Sequence, residues 1–411
     1  MVIPRWARRL VASLRAERRT LRQGFVALIL GTATAFVAGI ALGSITDTLR
    51  ALPGLIILIP AAVGMRGTIF GAMGARLGTS THAGLFEVTR ERTGVLYQNV
   101  FTGIVTTFSS TLWLAVLARL SAAVFGLRSI SFLQFVTISV VGGVIDSSLL
   151  LVITIGLSVL SYRRGYDLDA VATPLVTATA DMITIPVLFL ATFIARIEAV
   201  NLVVGIVMIL VCLVATIRGA LTDLPLARRV QVEMAAVILL TPLLDILAGT
   251  VIEARLDRFV EFPGLLVLIP PFVALAGALG GILSSRLSSK LQLGVISARR
   301  RPEGPAVLDA GIVMVFGLVG FTLIGALSVA FSVVTGKAYP GIGVMVGGTL
   351  LAGIMATLMA IVVSYYAAII TTRFGLDPDN HSVPIITSVM DLAGILSFLF
   401  VLSLLGVAAN G

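Results

Sequence analysis

Eleven stretches of the chain are apolar almost without interruption: 24–45, 53–74, 95–118, 131–160, 171–195, 198–217, 234–254, 263–284, 306–333, 341–371 and 382–409. Each has about 20 residues or more, the length a helix needs to cross the hydrocarbon core of a bilayer. No segment alternates apolar and polar positions as the strands of a closed barrel do, so spanning helices are the remaining solution. Stretches near 30 residues are expected to tilt or bend. Composition agrees: 58% of the residues are hydrophobic and only 12% are charged, too few charges to coat a soluble protein of 411 residues.

Arginine and lysine then set an expected orientation. The first 22 residues hold Arg5, Arg8, Arg9, Arg15, Arg18, Arg19 and Arg22, and the even-numbered loops hold fourteen more, among them Arg76, Arg163, Arg228, Arg286 and Arg299 to Arg301. With the N-terminus in the cytoplasm, 21 positive residues lie inside and 7 outside, with Arg66 inside a span. The C-terminus then lies outside, and the expected location is the cell membrane. Residues 1–23 are arginine-rich with no apolar core, unlike a cleaved signal peptide. Trp6, Leu10, Val11, Leu14 and Leu21 suggest an amphipathic helix on the anionic lipid surface. The net charge of +9 is thereby explained by topology, and no nucleic-acid partner is expected. Cys212 is the sole cysteine and His82 and His381 the only histidines, which excludes a disulfide and leaves little room for zinc or haem.

The chain also repeats itself. Pro53-Gly-Leu-Ile-Ile-Leu-Ile-Pro60 recurs as Pro263-Gly-Leu-Leu-Val-Leu-Ile-Pro270, an offset of 210. The same offset carries Gly39 onto Gly249, Gly67 onto Gly277, Arg76 onto Arg286, Gly143 onto Gly353 and Pro174 onto Pro384. It carries Asp167, Asp169 and Asp181 onto Asp377, Asp379 and Asp391. The expected architecture is an all-α polytopic membrane protein with about 11 transmembrane helices. Two parallel five-helix repeats, 24–197 and 233–411, are joined through a linker helix and cytoplasmic loop, 198–232. One span between the repeats makes both enter from the same side, so the pseudo-two-fold axis runs along the membrane normal and the chain amounts to a fused homodimer. Cys212 on the linker reads as a small apolar filler.

A carboxylate inside a span costs about 2.5–3.5 kcal/mol on insertion scales, so each one needs a reason. Asp181 and Asp391 are repeat-equivalent, two to three turns into the fifth helix of each half. If they converge on a seam between the halves, a divalent cation is their simplest neutraliser. Thr177 and Thr387 share the helical face of the aspartates, with Thr173 a turn further along. Pro174 and Pro384 free a carbonyl on the preceding turn. These hard oxygen donors suit magnesium, calcium or manganese better than zinc or copper, and a roomy two-carboxylate site suits hydrated magnesium best. Asp146, Asp245 and Arg66 are further candidates for the ion pathway. Arg66 and Asp245, of opposite sign at similar depth, also read as an internal ion pair. Asp167, Asp169, Asp377, Asp379 and Asn380 cap the fifth helices and form an acidic cytoplasmic mouth.

Gly375-Leu-Asp-Pro-Asp-Asn-His-Ser-Val-Pro-Ile-Ile-Thr-Ser-Val-Met-Asp391 resembles the fifth-helix motif of the MgtE-type magnesium transporters, above all their double-length relatives, solute carrier family 41. Gly165-Tyr-Asp-Leu-Asp-Ala-Val-Ala-Thr-Pro-Leu-Val-Thr-Ala-Thr-Ala-Asp181 is similar to the first-half copy, and Pro60 to Leu77 to the family's second helix. The resemblance implies two MgtE-like domains around an ion pathway lined by second and fifth helices, with Asp181 and Asp391 binding hydrated magnesium. It implies no large cytosolic sensor in this chain. The sequence departs from the family pattern where Ala180 and Met390 stand for glycine and Thr68 and Ala278 for asparagine, which removes polar lining and places Met390 to narrow the site.

The expected function is divalent-cation transport, with Mg2+ as the leading substrate and Mn2+, Ca2+ and Co2+ as further candidates. A passive channel and a sodium-coupled exporter, with Na+ as coupling ion, both fit. An intramembrane aspartyl protease is disfavoured because its Gly-x-Gly-Asp element is absent, and no catalytic residue is assigned. A carrier of organic cations or lipid would need an aromatic cage that Trp6 and Trp113 do not form.

Overall fold

The structure, a computed structural model, describes residues 18–89, 91–164, 168–374 and 383–407. These residues form helices and connecting turns, with no strand among them. In chain order the helices are α1 (Arg18–Ser44), α2 (Thr46–Ala51), α3 (Leu55–His82), α4 (Val95–Val124), α5 (Phe132–Arg164), α6 (Leu168–Ala195), α7 (Glu198–Ala220), α8 (Pro225–Glu253), α9 (Leu256–Glu261), α10 (Pro263–Gln292), α11 (Gly304–Thr335), α12 (Thr349–Phe374) and α13 (Val383–Leu404). A π-helical turn, Gly343–Gly348, runs into α12. It sits where α11 approaches closely, since a Cβ on Gly325 would lie 2.6 Å from the Met345 carbonyl.

Among the described residues ten helices are long and apolar enough to cross a membrane, and the chain is an all-α polytopic membrane protein. The expected eleventh span, 24–45, lies in α1, a helix of 27 residues whose described side chains, Leu28–Ser44, form an apolar stretch. The short helices α2 and α9 were not expected from the apolar pattern. They are repeat-equivalent and precede the two Pro-Gly motifs, so each half enters its second helix through the same corner.

The halves interlock through their first helices. α1 packs along α10 of the second half, and α8, the first helix of that half, packs along α3 of the first. Two equivalent glycines permit this. A Cβ on Gly39 would collide with the Val267 backbone, and one on Gly249 would lie 2.5 Å from the Ile57 carbonyl oxygen and 2.8 Å from its Cα. Val267 and Ile57 are themselves repeat partners, so a single contact is made twice, as a pseudo-two-fold requires. Small residues at such crossings let helices gain dispersion contacts where no hydrophobic driving force separates them from lipid.

Within each half the fifth helix packs on the second and fourth: α6 on α3 and α5, α13 on α10 and α12. The linker helix α7 rests on α4 and α5 and buries only Asn201, Gly205, Cys212 and Gly219. Its remaining surface, including Leu202, Val203, Leu210 and Val214, is exposed, the surface expected of a helix facing lipid. Cys212 is buried, in keeping with a filler.

Candidate cation site

The fifth helices carry the expected pair. α6 holds Thr177 and Asp181, and α13 holds Thr387 and Asp391, each pair four residues apart on one helical face. All four side chains are half-buried inside otherwise apolar spans. The second helices approach them with glycine. A Cβ on Gly67 of α3 would lie 3.2 Å from the Thr177 methyl, and one on Gly277 of α10 would lie 3.6 Å from the Thr387 methyl and 3.7 Å from Asp391 Oδ1. The same helix pair thus meets in the same way in both halves. Thr387 Oγ1 donates to the Pro384 carbonyl at 2.8 Å, which occupies that carbonyl and leaves the hydroxyl oxygen free to accept. Thr68 Oγ1 likewise donates to the Gly64 carbonyl at 3.0 Å.

Asp391 lies within electrostatic reach of two further carboxylates, Asp181 and Asp245. Asp245 comes from α8, which packs along α13, and lies beside Ser388 and Asp391 of that helix. Its Oδ2 would stand 3.0 Å from a Cβ on Gly64 of α3. Ser388 was missed by sequence reasoning; the available signal was a hydroxyl inside a span three residues before an aspartate.

Arg66 and Asp146 form a separate group. Arg66 Nε lies 3.4 Å from Asp146 Oδ2, both side chains are 1% exposed, and Thr184 Oγ1 donates to the same oxygen at 2.7 Å. Gly143 and Thr111 wall the guanidinium, and a Cβ at Gly143 would collide with Arg66 Nη2. The expected pairing of Arg66 with Asp245 is therefore corrected: the partner of Arg66 is Asp146. Helical rotation gives the reason. Gly64 faces Asp245, and Arg66, two residues on, points to nearly the opposite side of α3. Met390 is fully buried against α10, with its Cγ 3.3 Å from the position of a Cβ on Gly280, and Ala180 is fully buried too.

Thr173 and Asp169 lie in α6 with side chains outside the described ones, and Asp167, Asp377, Asp379 and Asn380 lie outside the described residues. Among the described residues no group of three or more His, Cys, Asp or Glu side chains is arranged to chelate a bare metal ion.

The fold and these buried polar groups define a duplicated, helical, multi-pass membrane protein with carboxylates inside its spans. A family model described as MgtE, divalent cation transporter, matches residues 59–191 and 269–401, the second match displaced from the first by the repeat offset. The chain belongs to this family of divalent cation transporters. It is similar to solute carrier family 41 member 3 of Rattus norvegicus, 23% identical over 380 residues that cover 84% of this chain and 78% of that one. The same-named protein of Mus musculus is 23% identical over 375 residues, covering 83% and 73%. Among solved structures, the eukaryotic MATE transporter AtDTX14 aligns over 97% of each chain at 13% identity with a TM-score of 0.39, too loose a likeness to bear on fold or function.

Proposed function

We propose that the protein carries a hydrated divalent cation, magnesium first, along a pathway between its halves, with Asp181 and Asp391 facing the ion. The observation that carries this reading is the repeat-equivalent pair itself. Two half-buried carboxylates, each with a threonine one turn before it and a glycine of the second helix beside it, sit inside the spans of a divalent cation transporter. The chemistry supports water-mediated contact. Magnesium gives up its waters reluctantly and prefers oxygen partners, which the carboxylates of Asp181 and Asp391 and the hydroxyls of Thr177 and Thr387 offer. The relatives named for solute carrier family 41 are consistent with such a substrate.

The arginine distribution supports an N-terminus in the cytoplasm, where the acids Asp167, Asp169, Asp377 and Asp379 would concentrate cations at the mouth of the pathway. The test is magnesium flux into proteoliposomes with an entrapped indicator, with and without a sodium gradient. Wild type is run beside the Asp181→Asn/Asp391→Asn double variant. We expect flux in the wild type and its loss in the double variant. Flux that follows the sodium gradient identifies a sodium-coupled exporter, and flux set by magnesium and voltage alone identifies a channel. Magnesium flux that persists in the double variant overturns the assignment of the two aspartates.

A further inference from the structure

Asp245 has no counterpart in the first half, where Ala35 occupies its place. It is nonetheless 1% exposed inside a membrane span, where a lone carboxylate is costly. A buried carboxylate usually repays that cost through a cation, and Arg66, the charged side chain buried in the same layer of α3, turns away to Asp146. What Asp245 meets instead is Ser388 and another carboxylate, Asp391. Its Oδ1 has no hydrogen-bond partner among the described residues. A buried acceptor left unpaired beside a second acid is the arrangement of a site awaiting positive charge, since both carboxylates and the orphaned oxygen are satisfied by one cation or its waters. Gly64 lets Asp245 come close against α3, its Oδ2 standing 3.0 Å from where a Cβ would lie.

We propose that Asp245 is a third carboxylate of the cation site, delivered by the first helix of the second half and acting on the ion beside Asp391. The inference rests on the reading of Asp181 and Asp391 given above. It makes the site asymmetric: the repeat supplies one aspartate from each fifth helix, and the interlocked α8 adds another to one side only. A third negative charge deepens attraction for a divalent ion twice as steeply as for a monovalent one, because the interaction scales with the product of the charges. Asp245 is therefore a specificity-determining residue that favours divalent over monovalent cations.

The experiment measures magnesium flux in proteoliposomes and the magnesium-induced rise in Tm of purified protein. Wild type, Asp245→Asn and Ser388→Ala are compared, with Asp181→Asn/Asp391→Asn as reference. Asp245→Asn keeps the shape and removes the charge. It is expected to raise KM for magnesium about tenfold, the equivalent of about 1.4 kcal/mol, with maximal flux largely kept. It should shrink the magnesium-induced rise in Tm while leaving the metal-free Tm near that of the wild type. A purely structural role predicts the reverse: a lowered metal-free Tm, with KM and the magnesium-induced shift unchanged, and that result overturns the proposal. Should Asp245→Asn fail to fold, Ser388→Ala decides, because it removes the hydroxyl beside Asp245 without touching its charge. A KM raised severalfold supports the proposal and an unchanged KM overturns it. Flux that depends on Asp181 and Asp391 but not on Asp245 sinks this inference alone, whereas flux indifferent to all three sinks the underlying reading with it.

Discussion

The two halves share a backbone plan but fill the same interior volume with different chemistry. In the first half, Arg66, Asp146, Thr184 and Thr111 meet over Gly143. At the equivalent positions the second half has Ala276, Ala356, Gly394 and Phe321 over Gly353. There Phe321 takes the space that the guanidinium fills in the first half, and it stacks with Phe272 at 4.7 Å, which in turn meets Phe398 at 5.3 Å. Nearer the other end of the second helix the preference reverses. Arg76 Nε donates to Asn99 at 2.9 Å in the first half, while the equivalent Arg286 pairs with buried Asp309 at 2.7 Å, joined by Lys290. Among the described residues, each half thus holds an arginine–aspartate pair within its helices, at different depths. What both halves keep in common includes the crossing glycines Gly39 and Gly249, the Pro-Gly entries to the second helices, and the fifth-helix Thr177/Asp181 and Thr387/Asp391.

The largest effect is expected from breaking the polar core of the first half. Asp146→Ala strands a buried guanidinium and should cost about 3–5 kcal/mol, as stranding one member of a buried pair does. Arg66→Ala/Asp146→Ala, which approaches the second half's composition, should cost less than Asp146→Ala alone. Thermal unfolding in detergent reads both, and a double variant as unstable as the sum of the two single ones would contradict the pairing. A smaller effect is expected at the crossings. Gly39→Ala and Gly249→Ala each push a Cβ onto backbone of the facing helix, at about 1–3 kcal/mol for such overpacking. Their losses in Tm should match, because the contact is made twice. Sensitivity at only one glycine would break the symmetry on which the comparison stands.

The duplication, the spans and the fifth-helix aspartates were legible in the sequence, because each rests on period or spacing along one chain. Partner choice was not. Arg66 and Asp245 sit at similar depth with opposite sign, and only the rotation of α3 shows that residue 64 faces α8 while residue 66 faces Asp146. The interlocking of α1 and α8 with the opposite halves was hidden too. Gly39 and Gly249 are visible as small residues in the sequence, but which helix fills the space above them is decided by tertiary packing.

The central claim is that equivalent aspartates of the two halves serve one ion. A double-mutant cycle on magnesium affinity, measured from the magnesium-induced rise in Tm of wild type, Asp181→Asn, Asp391→Asn and the double variant, tests it most directly. Residues acting on one ion should be coupled by about 1 kcal/mol or more, so the double variant loses far less than the sum of the single losses. Losses that simply add would mean two independent sites, and would contradict the account.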